Sequence, residues 1–244
     1  MNPFSQAILF ITATALPVFA GNFPHDTWGP SYLKDVPRAI DFVESQAAHL
    51  SVEPPPADDS EITRSEIVYL KKIAENRSSR DIIQITKENL NPHKPFYNVL
   101  GLEPGESPEL DLLVQRINAE SYLPVLYFKH KFSRTRPYQI DESLTTVIDG
   151  PPHASYPSGH ATQGYLFSLI LSELLPADDP RVSQLAELGK GMGIRREIAG
   201  VHYPSDTKAG VELAIQLKAW MMGKPEFNEA FLAAKTALNQ ARKQ

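Results

Sequence analysis

The chain has 244 residues, a formal net charge of −5 at pH 7 and no cysteine. This length suits one sizeable core or at most two small domains, and the acidic balance argues against nucleic acid as the main partner. The absence of cysteine excludes disulfides, thiolate catalysis and cysteine-ligated zinc.

The first 20 residues contain no charged side chain and end in Val18-Phe19-Ala20. This small-x-small ending is typical of a secretory signal peptide that is cleaved after Ala20. Polar residues and Pro17 interrupt the apolar run, which is then shorter than the ~20 residues of a membrane-spanning helix. We therefore expect a signal peptide over residues 1–20 rather than an uncleaved anchor, no stable membrane insertion after its removal, and a periplasmic or secreted location.

Apolar residues beyond the leader recur at helical spacing and strand signals are scarce, which predicts an all-α fold in one domain over residues 21–244. Capping residues and periodicity predict helices over 37–50, from 59 or 60 to about 75, from 79 or 80 to 90, and from 107 towards 129, the last kinked or divided by Pro124. Further helices are predicted over 158–175, 179–198, 205–222 and from 225 or 226 to about 241. Residues 92–105 are expected to form a loop or broken helix, and residues 134–157 a long loop over the functional site.

Three separated blocks carry cations, imidazoles and one carboxylate. They are Lys129 with Arg136-Pro137; Pro157-Ser158-Gly159-His160; and Arg196 with His202 and Asp206. A phosphoryl group needs fixed positive charge around its oxygens, an in-line nucleophile and a proton donor for the leaving group. The blocks supply each part, and they predict a phosphatase site.

The second block has the features of a helix start that faces an anion. Ser158 is a good N-cap, Gly159 lets backbone approach a ligand, and the free N–H groups of the first turn favour negative charge. Taken alone, the block is also consistent with an ordinary helix start and a buried histidine. The other two blocks favour the anion site.

His202 and Asp206 lie four residues apart, a spacing that puts both on one helical face if the intervening residues are helical. A carboxylate on one imidazole nitrogen fixes the tautomer and stabilises the charge that forms when the other nitrogen attacks phosphorus. Pro204 fits as an early helical position, with His202 just outside the helix. The alternative is a surface ion pair of little energetic value.

The remaining lysine, arginine and histidine residues near the blocks are expected to lie at the surface and to take no part in the site. Lone cations are usually solvated, and Lys131, Arg134 and Arg195 are placed at the surface on this ground. His130 and His153 lie near the blocks and could line the entrance, but both are interpreted as polar loop or helix-surface residues. No histidine spacing suggests a metal.

The three blocks resemble the signature of the type 2 phosphatidic acid phosphatase superfamily, which includes bacterial class A non-specific acid phosphatases, membrane lipid phosphatases and vanadium-dependent haloperoxidases. The stretch over residues 53–60, with Tyr69 downstream, is similar to the proline-rich N-terminal segment of the class A enzymes. The resemblance implies a compact helical bundle of the acid phosphatase/vanadium-dependent haloperoxidase type. One departure is Arg195, because the family usually has serine before the third-block arginine.

The resemblance also implies an exported, metal-independent acid phosphatase without a cofactor, inhibited by vanadate and acting through a phosphohistidine. In the mechanism that the resemblance implies, His202 attacks phosphorus and Asp206 orients the imidazole of His202. Protonated His160 donates a proton to the leaving alkoxide and then activates water. Phosphate binding is assigned to five residues: Lys129, Arg136, Ser158, Gly159 and Arg196. Arg195 and Arg196 point about 100° apart on a helix, and the family spacing to His202 favours Arg196.

Two alternatives from other classes are a vanadium-dependent haloperoxidase, with vanadate in the same cage and His202 as its ligand, and a non-catalytic phosphate-binding module. Haloperoxidases of the superfamily tend to be longer than this chain. A binding module needs the cations but has no use for two histidines and a carboxylate. The expected partners are small-molecule phosphate monoesters, with a homo-oligomer left open.

Overall fold

The computed structural model describes residues 22–241, and these residues form α-helices joined by loops. The helices are α1 (Pro30–Gln46), α2 (Glu61–Glu75), α3 (Ser79–Leu90), α4 (Lys94–Leu100), α5 (Pro108–Phe132), α6 (Pro137–Ile140), α7 (Gly159–Ser172), α8 (Pro180–Ile198), α9 (Pro204–Met222) and α10 (Pro225–Ala241), preceded by a 3₁₀ turn at His25–Thr27. This described part contains no β-strand, which confirms the all-α prediction. The predicted signal peptide lies outside the described residues.

Side-chain caps start several helices where the sequence predicts. Ser60 accepts a hydrogen bond from the Thr63 amide before α2, Ser158 from the Ala161 amide before α7, and Asp179 from the Arg181 amide before α8. Each cap satisfies a backbone N–H that the first helical turn cannot pair.

Two prolines lie inside helices. Pro37 lies inside α1, which begins at Pro30, seven residues before the predicted start. Pro124 lies inside α5, which continues as one helix, so the helix is not divided there. Buried apolar residues lie within two positions of each proline, Val36 and Ala39 in α1 and Leu123 and Val125 in α5, and their burial outweighs the lost backbone hydrogen bond.

The core lies where α7 packs against α8 and α9, with α5 beside α7 and with α1 and α10 against α5. Its largest cluster includes Phe96, Phe128, Phe167 and Phe227, none more than 1% exposed. No helix between residues 22 and 241 is long and apolar enough to cross a membrane.

The first turns of α7 and α9 approach each other closely. The Ser158 amide donates to the Asp206 carbonyl oxygen at 3.0 Å. A Cβ at Gly210, one turn further along α9, would lie 2.7 Å from the Ser158 carbonyl oxygen. Only glycine therefore fits at this crossing, which brings the second and third sequence blocks together.

Candidate active site

A cavity of about 440 Å³ lies between α1, α3, α5, α7, α8 and the loops that precede α7 and α9. Five of the eight predicted site residues line it: Lys129, Gly159, His160, Arg196 and His202. The other three, Arg136, Ser158 and Asp206, are fully buried behind the wall. The structure thus brings the three sequence blocks to one place.

His202 lies just before α9, and Asp206 lies in the first turn of that helix, because Pro204 is the first helical residue. One carboxylate oxygen of Asp206, Oδ2, lies 3.0 Å from His202 Nδ1 and accepts hydrogen bonds from the Tyr203 amide and the Ser155 hydroxyl. Nδ1 therefore carries the imidazole hydrogen, and Nε2 keeps a lone pair. Nε2 lies 3.5 Å from Nη1 of Arg136.

The charges around this pair decide its protonation. Burial lowers the pKa of His202 well below its ordinary value; the hydrogen bond with Asp206 opposes this effect, and Arg136 and Lys129 reinforce it. Burial alone would raise the pKa of Asp206, but the guanidinium of Arg134 and the contact with His202 outweigh burial and leave that pKa below its usual range. A neutral imidazole thus faces an ionised carboxylate, the arrangement that a nitrogen nucleophile requires.

Arg134 was expected at the surface, and that expectation is wrong. Its side chain is 0% exposed, with Nη1 2.7 Å from Oδ1 of Asp206 and Nη2 3.1 Å from Oε2 of Glu66. The guanidinium carbon lies 3.8 Å from the centroid of the Tyr203 ring. The two carboxylates and the aromatic face offset the cost of burying the cation. Arg134 and Glu66 therefore belong to the support of Asp206.

Lys129 reaches the cavity from the last turn of α5. Its ammonium donates to the carbonyl oxygens of Ala154 and Ser155, each at 2.9 Å. An ammonium has three donors, so one remains for a bound oxygen. Burial lowers the pKa of Lys129 well below its ordinary value, Arg136 adds to this effect, and Asp206 opposes it.

Arg136 and Arg196 differ in how far the protein already satisfies their donors. Arg136 donates from Nε to His153 O at 3.0 Å and from Nη1 to Val201 O at 2.7 Å. Arg196 donates from Nη2 to Ile85 O at 3.0 Å, while its buried Nε has no partner within residues 22–241. Burial lowers the pKa of each guanidinium to about 10, so both stay cationic at acidic and neutral pH.

His160 occupies the second position of α7. Its buried Nε2 has no hydrogen-bond partner in the described part of the chain, and the residue lines the cavity. Burial, followed by the charges of Arg196 and Lys129, lowers the pKa of His160 to about 3, and an interaction with the Glu88 backbone opposes them. The sequence-based expectation of a protonated His160 therefore needs a bound anion to supply the missing negative charge.

Ser158 and Gly159 form the start of α7. The Ser158 hydroxyl accepts from the Ala161 amide at 3.3 Å, which leaves its own proton to donate. A Cβ at Gly159 would meet Val125 Cγ1 at 3.6 Å, an ordinary contact distance. Packing within the protein does not require glycine at this position, so close approach of a ligand is the remaining reason for it.

Arg195 also departs from its expected solvated position. Its Nε lies 2.7 Å from Oε2 of Glu88 and its Nη2 2.6 Å from Oε1 of Glu88. Glu88, on α3, is 0% exposed and lies 3.8 Å from Nη2 of Arg196. Arg196 lines the cavity and Arg195 does not, as the family spacing predicts. Arg195 engages the carboxylate that would otherwise compete for the charge of Arg196.

His153 lies at the site, although the sequence favours a loop or surface position for it. It lines the cavity, and its Nδ1 lies 3.1 Å from Nη2 of Arg136. Its ring centroid is 4.7 Å from that of Tyr32. His130, in contrast, packs against Trp28 outside the cavity, and Lys131 is exposed as expected. No spacing signal distinguishes His153 from His130 in the sequence.

Residues 22–241 contain no group of three or more histidines and acids arranged to hold a metal ion. The cavity instead presents cations, three imidazoles and unpaired N–H donors. Such a lining binds an oxyanion.

Comparison with known proteins agrees with this chemistry. Residues 114–228 match the model of the PAP2 superfamily. An acid phosphatase of Zymomonas mobilis is 30% identical over 147 residues, which are 59% of this chain and 54% of that enzyme. A non-specific acid phosphatase of Salmonella typhimurium is 28% identical over 209 residues, which are 80% of this chain and 82% of that enzyme.

A solved structure gives independent evidence for the fold. The crystal structure of a bacterial vanadium-dependent iodoperoxidase superposes with a TM-score of 0.56 and 20% sequence identity, over 71% of this chain and 52% of that one. This likeness confirms the predicted helical architecture, and the relatives named above support phosphatase activity. Residues 114–228 therefore match the PAP2 superfamily, and the chain is similar over most of its length to bacterial non-specific acid phosphatases.

Proposed function

We propose that this protein is an exported, metal-independent acid phosphatase that hydrolyses phosphate monoesters through a phosphohistidine on His202. The arrangement of His202 carries the proposal. Its Nδ1 is bonded to Asp206 at 3.0 Å, and its imidazole lines the same cavity as Lys129, His160 and Arg196. The proposed nucleophile, the cations and the proposed proton carrier thus line the same cavity.

In the first step, Nε2 of His202 attacks phosphorus and the bond from phosphorus to the ester oxygen breaks. Asp206 stabilises the imidazolium that forms, since its carboxylate accepts the Nδ1 hydrogen. His160 gives a proton to the departing oxygen. In the second step, His160 takes a proton from water, the water oxygen attacks phosphorus, and the bond from phosphorus to Nε2 breaks, which releases phosphate and restores neutral His202.

The proton on His160 has to arrive with the substrate. The pKa of His160 is about 3 while cations dominate its surroundings. A phosphate monoester brings negative charge, which raises that pKa. A monoester whose second ionisation lies near pH 6 also carries one proton itself at acidic pH. This supports an acidic pH optimum.

Stabilisation of the transition state falls to the cations and the start of α7. Lys129 has one ammonium donor left, Arg196 has its unpartnered Nε within the described residues, and Arg136 lies beside the nucleophilic nitrogen. The Gly159 amide and the Ser158 hydroxyl complete the set. Their donors would bind the oxygens that share the charge of the transferring phosphoryl group.

The test is hydrolysis of p-nitrophenyl phosphate by the purified protein at acidic pH, with and without EDTA and with added vanadate. We expect activity that survives EDTA and is inhibited by vanadate, which mimics the transferring group. Rapid-quench labelling under alkaline conditions should trap a phosphohistidine. Activity that is lost to EDTA and restored by a divalent ion would refute the metal-independent mechanism.

The haloperoxidase alternative would use the same cage for vanadate. The acid phosphatases match this chain at 28–30% identity, whereas the iodoperoxidase matches at 20%, and this difference supports the phosphatase. A halide peroxidase assay with vanadate added distinguishes the two. Sustained halide oxidation without phosphate ester hydrolysis would favour the alternative.

Export rests on the residues before the described part. If the leader is cleaved after Ala20, N-terminal sequencing of the exported protein will return Gly21. A protein that still begins at Met1 would contradict cleavage.

A further inference from the structure

The cavity extends well beyond its cationic end. Ser121, Val125 and Lys129 lie four residues apart on one face of α5 and all line it. An α-helix rises about 1.5 Å per residue, so this face extends about 12 Å from Lys129 to Ser121. A phosphate group at Lys129 would occupy one end, and the rest of the face would meet the group that the phosphate esterifies.

The walls of this second part are aromatic and apolar. Tyr122 and Leu126 of α5 line it together with Tyr32 of α1 and the loop residues Ile148, Pro151 and Pro152. We define these six residues as the apolar wall. Such surfaces gain free energy when a planar apolar group covers them, and aromatic pairs add to this gain.

The apolar wall is fixed by contacts within the protein. The Tyr122 hydroxyl donates to Asp35 at 2.9 Å, and the Gly29 amide donates to the Pro152 carbonyl oxygen at 2.8 Å. The Tyr32 ring packs edge-on against His153, which in turn contacts Arg136. A ligand therefore meets a surface that is already formed, and less ordering entropy opposes binding.

Charge is distributed unevenly in the cavity. Among the described residues that line it, the lysine and arginine side chains are Lys129 and Arg196, and the carboxylate is Asp149. Lys129 and Arg196 can thus bind one anionic group at the phosphate end. The lining supplies no further lysine or arginine for a second anion. The leaving group that fits carries no negative charge.

From these observations we infer that the apolar wall is a subsite for an uncharged aromatic leaving group, so that aryl phosphate monoesters are the preferred substrate class. This inference rests on the proposed phosphatase function. It predicts that affinity depends on the aromatic group itself, apart from the ease with which a phenol departs.

Non-hydrolysable phosphonates separate affinity from chemistry. We expect calorimetry to show that benzylphosphonate binds the wild-type protein at least about tenfold more tightly than methylphosphonate, because the ring buries apolar surface on the wall. A 4-carboxybenzylphosphonate should bind more weakly than benzylphosphonate, since its second anion has no cation to meet. Equal affinities for benzyl- and methylphosphonate, or tighter binding of the carboxylated compound, would overturn the inference.

Substitution of Tyr32 tests the wall directly. Tyr32→Ala should lower the benzyl-to-methyl affinity ratio by about threefold or more through lost contact area. The methylphosphonate affinity should change by less than about twofold, because His153 lies between Tyr32 and Arg136. Tyr32→Phe, the matched control, should keep the wild-type ratio. An unchanged ratio in Tyr32→Ala, or an equal loss of both ligands, would contradict the division of the cavity.

The two proposals fail separately. If the wild-type protein hydrolyses p-nitrophenyl phosphate but binds the phosphonates equally, the aromatic subsite is refuted and the phosphatase stands. If it hydrolyses no phosphate monoester, the proposed function is refuted, and the substrate inference falls with it.

Discussion

Among the three histidines of the cavity, His160 and His202 have surroundings that differ in one respect relevant to their chemistry. Nδ1 of His202 is fixed by Asp206, which Arg134, Ser155 and the Tyr203 amide also bind. Nε2 of His160 has no partner among residues 22–241. A pinned, neutral imidazole suits a nucleophile, whereas a ring with an unengaged nitrogen suits a proton carrier. In the proposed mechanism, the two histidines thus take different roles because their neighbours differ.

The largest effect should come from the histidines themselves. His202→Ala removes the nucleophile, so turnover and phosphoenzyme labelling are both expected to vanish. His160→Ala leaves the nucleophile but removes acid catalysis, a loss of typically about 10²–10⁴-fold that a good leaving group such as nitrophenol should partly restore. Rapid-quench labelling with p-nitrophenyl phosphate and with an alkyl phosphate measures both. Labelling of His202→Ala would reverse the assignment.

Arg134 allows the two histidines to be tested separately, because it pairs with Asp206, the partner of His202, and not with His160. Arg134→Met leaves Asp206 and Glu66 without their buried cation, and the free energy of unfolding should fall by about 3–5 kcal/mol. Urea unfolding measures this loss. Lys131→Met, which removes an exposed cation on the neighbouring turn, is the control and should change stability by less than about 0.5 kcal/mol.

Arg134 should also affect protonation. Without its charge, Asp206 raises the pKa of His202, and a protonated imidazole cannot attack phosphorus. The acidic limb of the activity profile should therefore move to higher pH in Arg134→Met, whereas Glu66→Gln, which removes a negative charge and leaves Arg134 to Asp206 alone, should move it slightly to lower pH. A stability loss with an unchanged profile would show that Arg134 is structural alone.

Gly159 tests the approach of phosphate to the start of α7. Gly159→Ala places a methyl group at an ordinary distance from Val125, so the melting temperature should change little. The inhibition constant of inorganic phosphate should rise by about tenfold or more if phosphate contacts the backbone here. Gly164→Ala is the contrasting control, because its Cβ would lie 2.8 Å from Met192 Sδ and should lower stability instead.

Arg195 supports the His160 side through Glu88 and Arg196. In Arg195→Ser, Glu88 loses its close ion pair. The carboxylate of Glu88 then attracts the guanidinium of Arg196 more strongly and competes with phosphate for it. We expect KM to rise about threefold to tenfold with a smaller change in kcat, the size of a typical coupling between neighbouring charges. The double variant Arg195→Ser/Glu88→Gln should recover most of the affinity. No recovery would mean that Arg195 acts through packing.

The pH dependence of stability should report the burial of His160. The pKa of His160 falls to about 3 in the folded protein from about 6.5 in the unfolded chain. The unfolded state therefore binds more protons between these values, and stability falls as pH decreases through this window. Inorganic phosphate should reduce the fall, and His160→Gln should flatten it. A melting temperature that rises on acidification through this window would contradict the burial argument.

Sequence alone predicts much of this site because its residues lie in three short blocks with fixed spacing. Lys129, Arg136, His160 and His202 each come within reach of the others once α5, α7 and α9 pack. The caps Ser60 and Ser158 likewise predict helix starts, since a cap is satisfied locally.

The supporting residues could not be predicted in the same way. Glu66 lies 68 residues from Arg134, and Glu88 lies 107 residues from Arg195, so each pair is decided by how α2 and α3 dock. A charged residue in an amphipathic helix normally indicates a solvated face, and Glu88 is buried only because two arginines of α8 meet it. The start of α1 was predicted wrongly at Pro37 for a related reason. Burial of apolar side chains in the folded protein stabilises the helix on both sides of this proline.

The hydrogen bond from the Ser158 amide to the Asp206 carbonyl, together with Gly210, has an evolutionary consequence. These features join the two helix starts through backbone atoms, so the separation between attacking nitrogen and proton donor does not depend on the side chains of the apolar wall. In the proposed mechanism, mutations at the apolar-wall residues Tyr32, Ile148 or Pro151 can then alter which esters are accepted while the reaction geometry is kept. Such a division lets descendants of one ancestor diversify in substrate without rebuilding their chemistry.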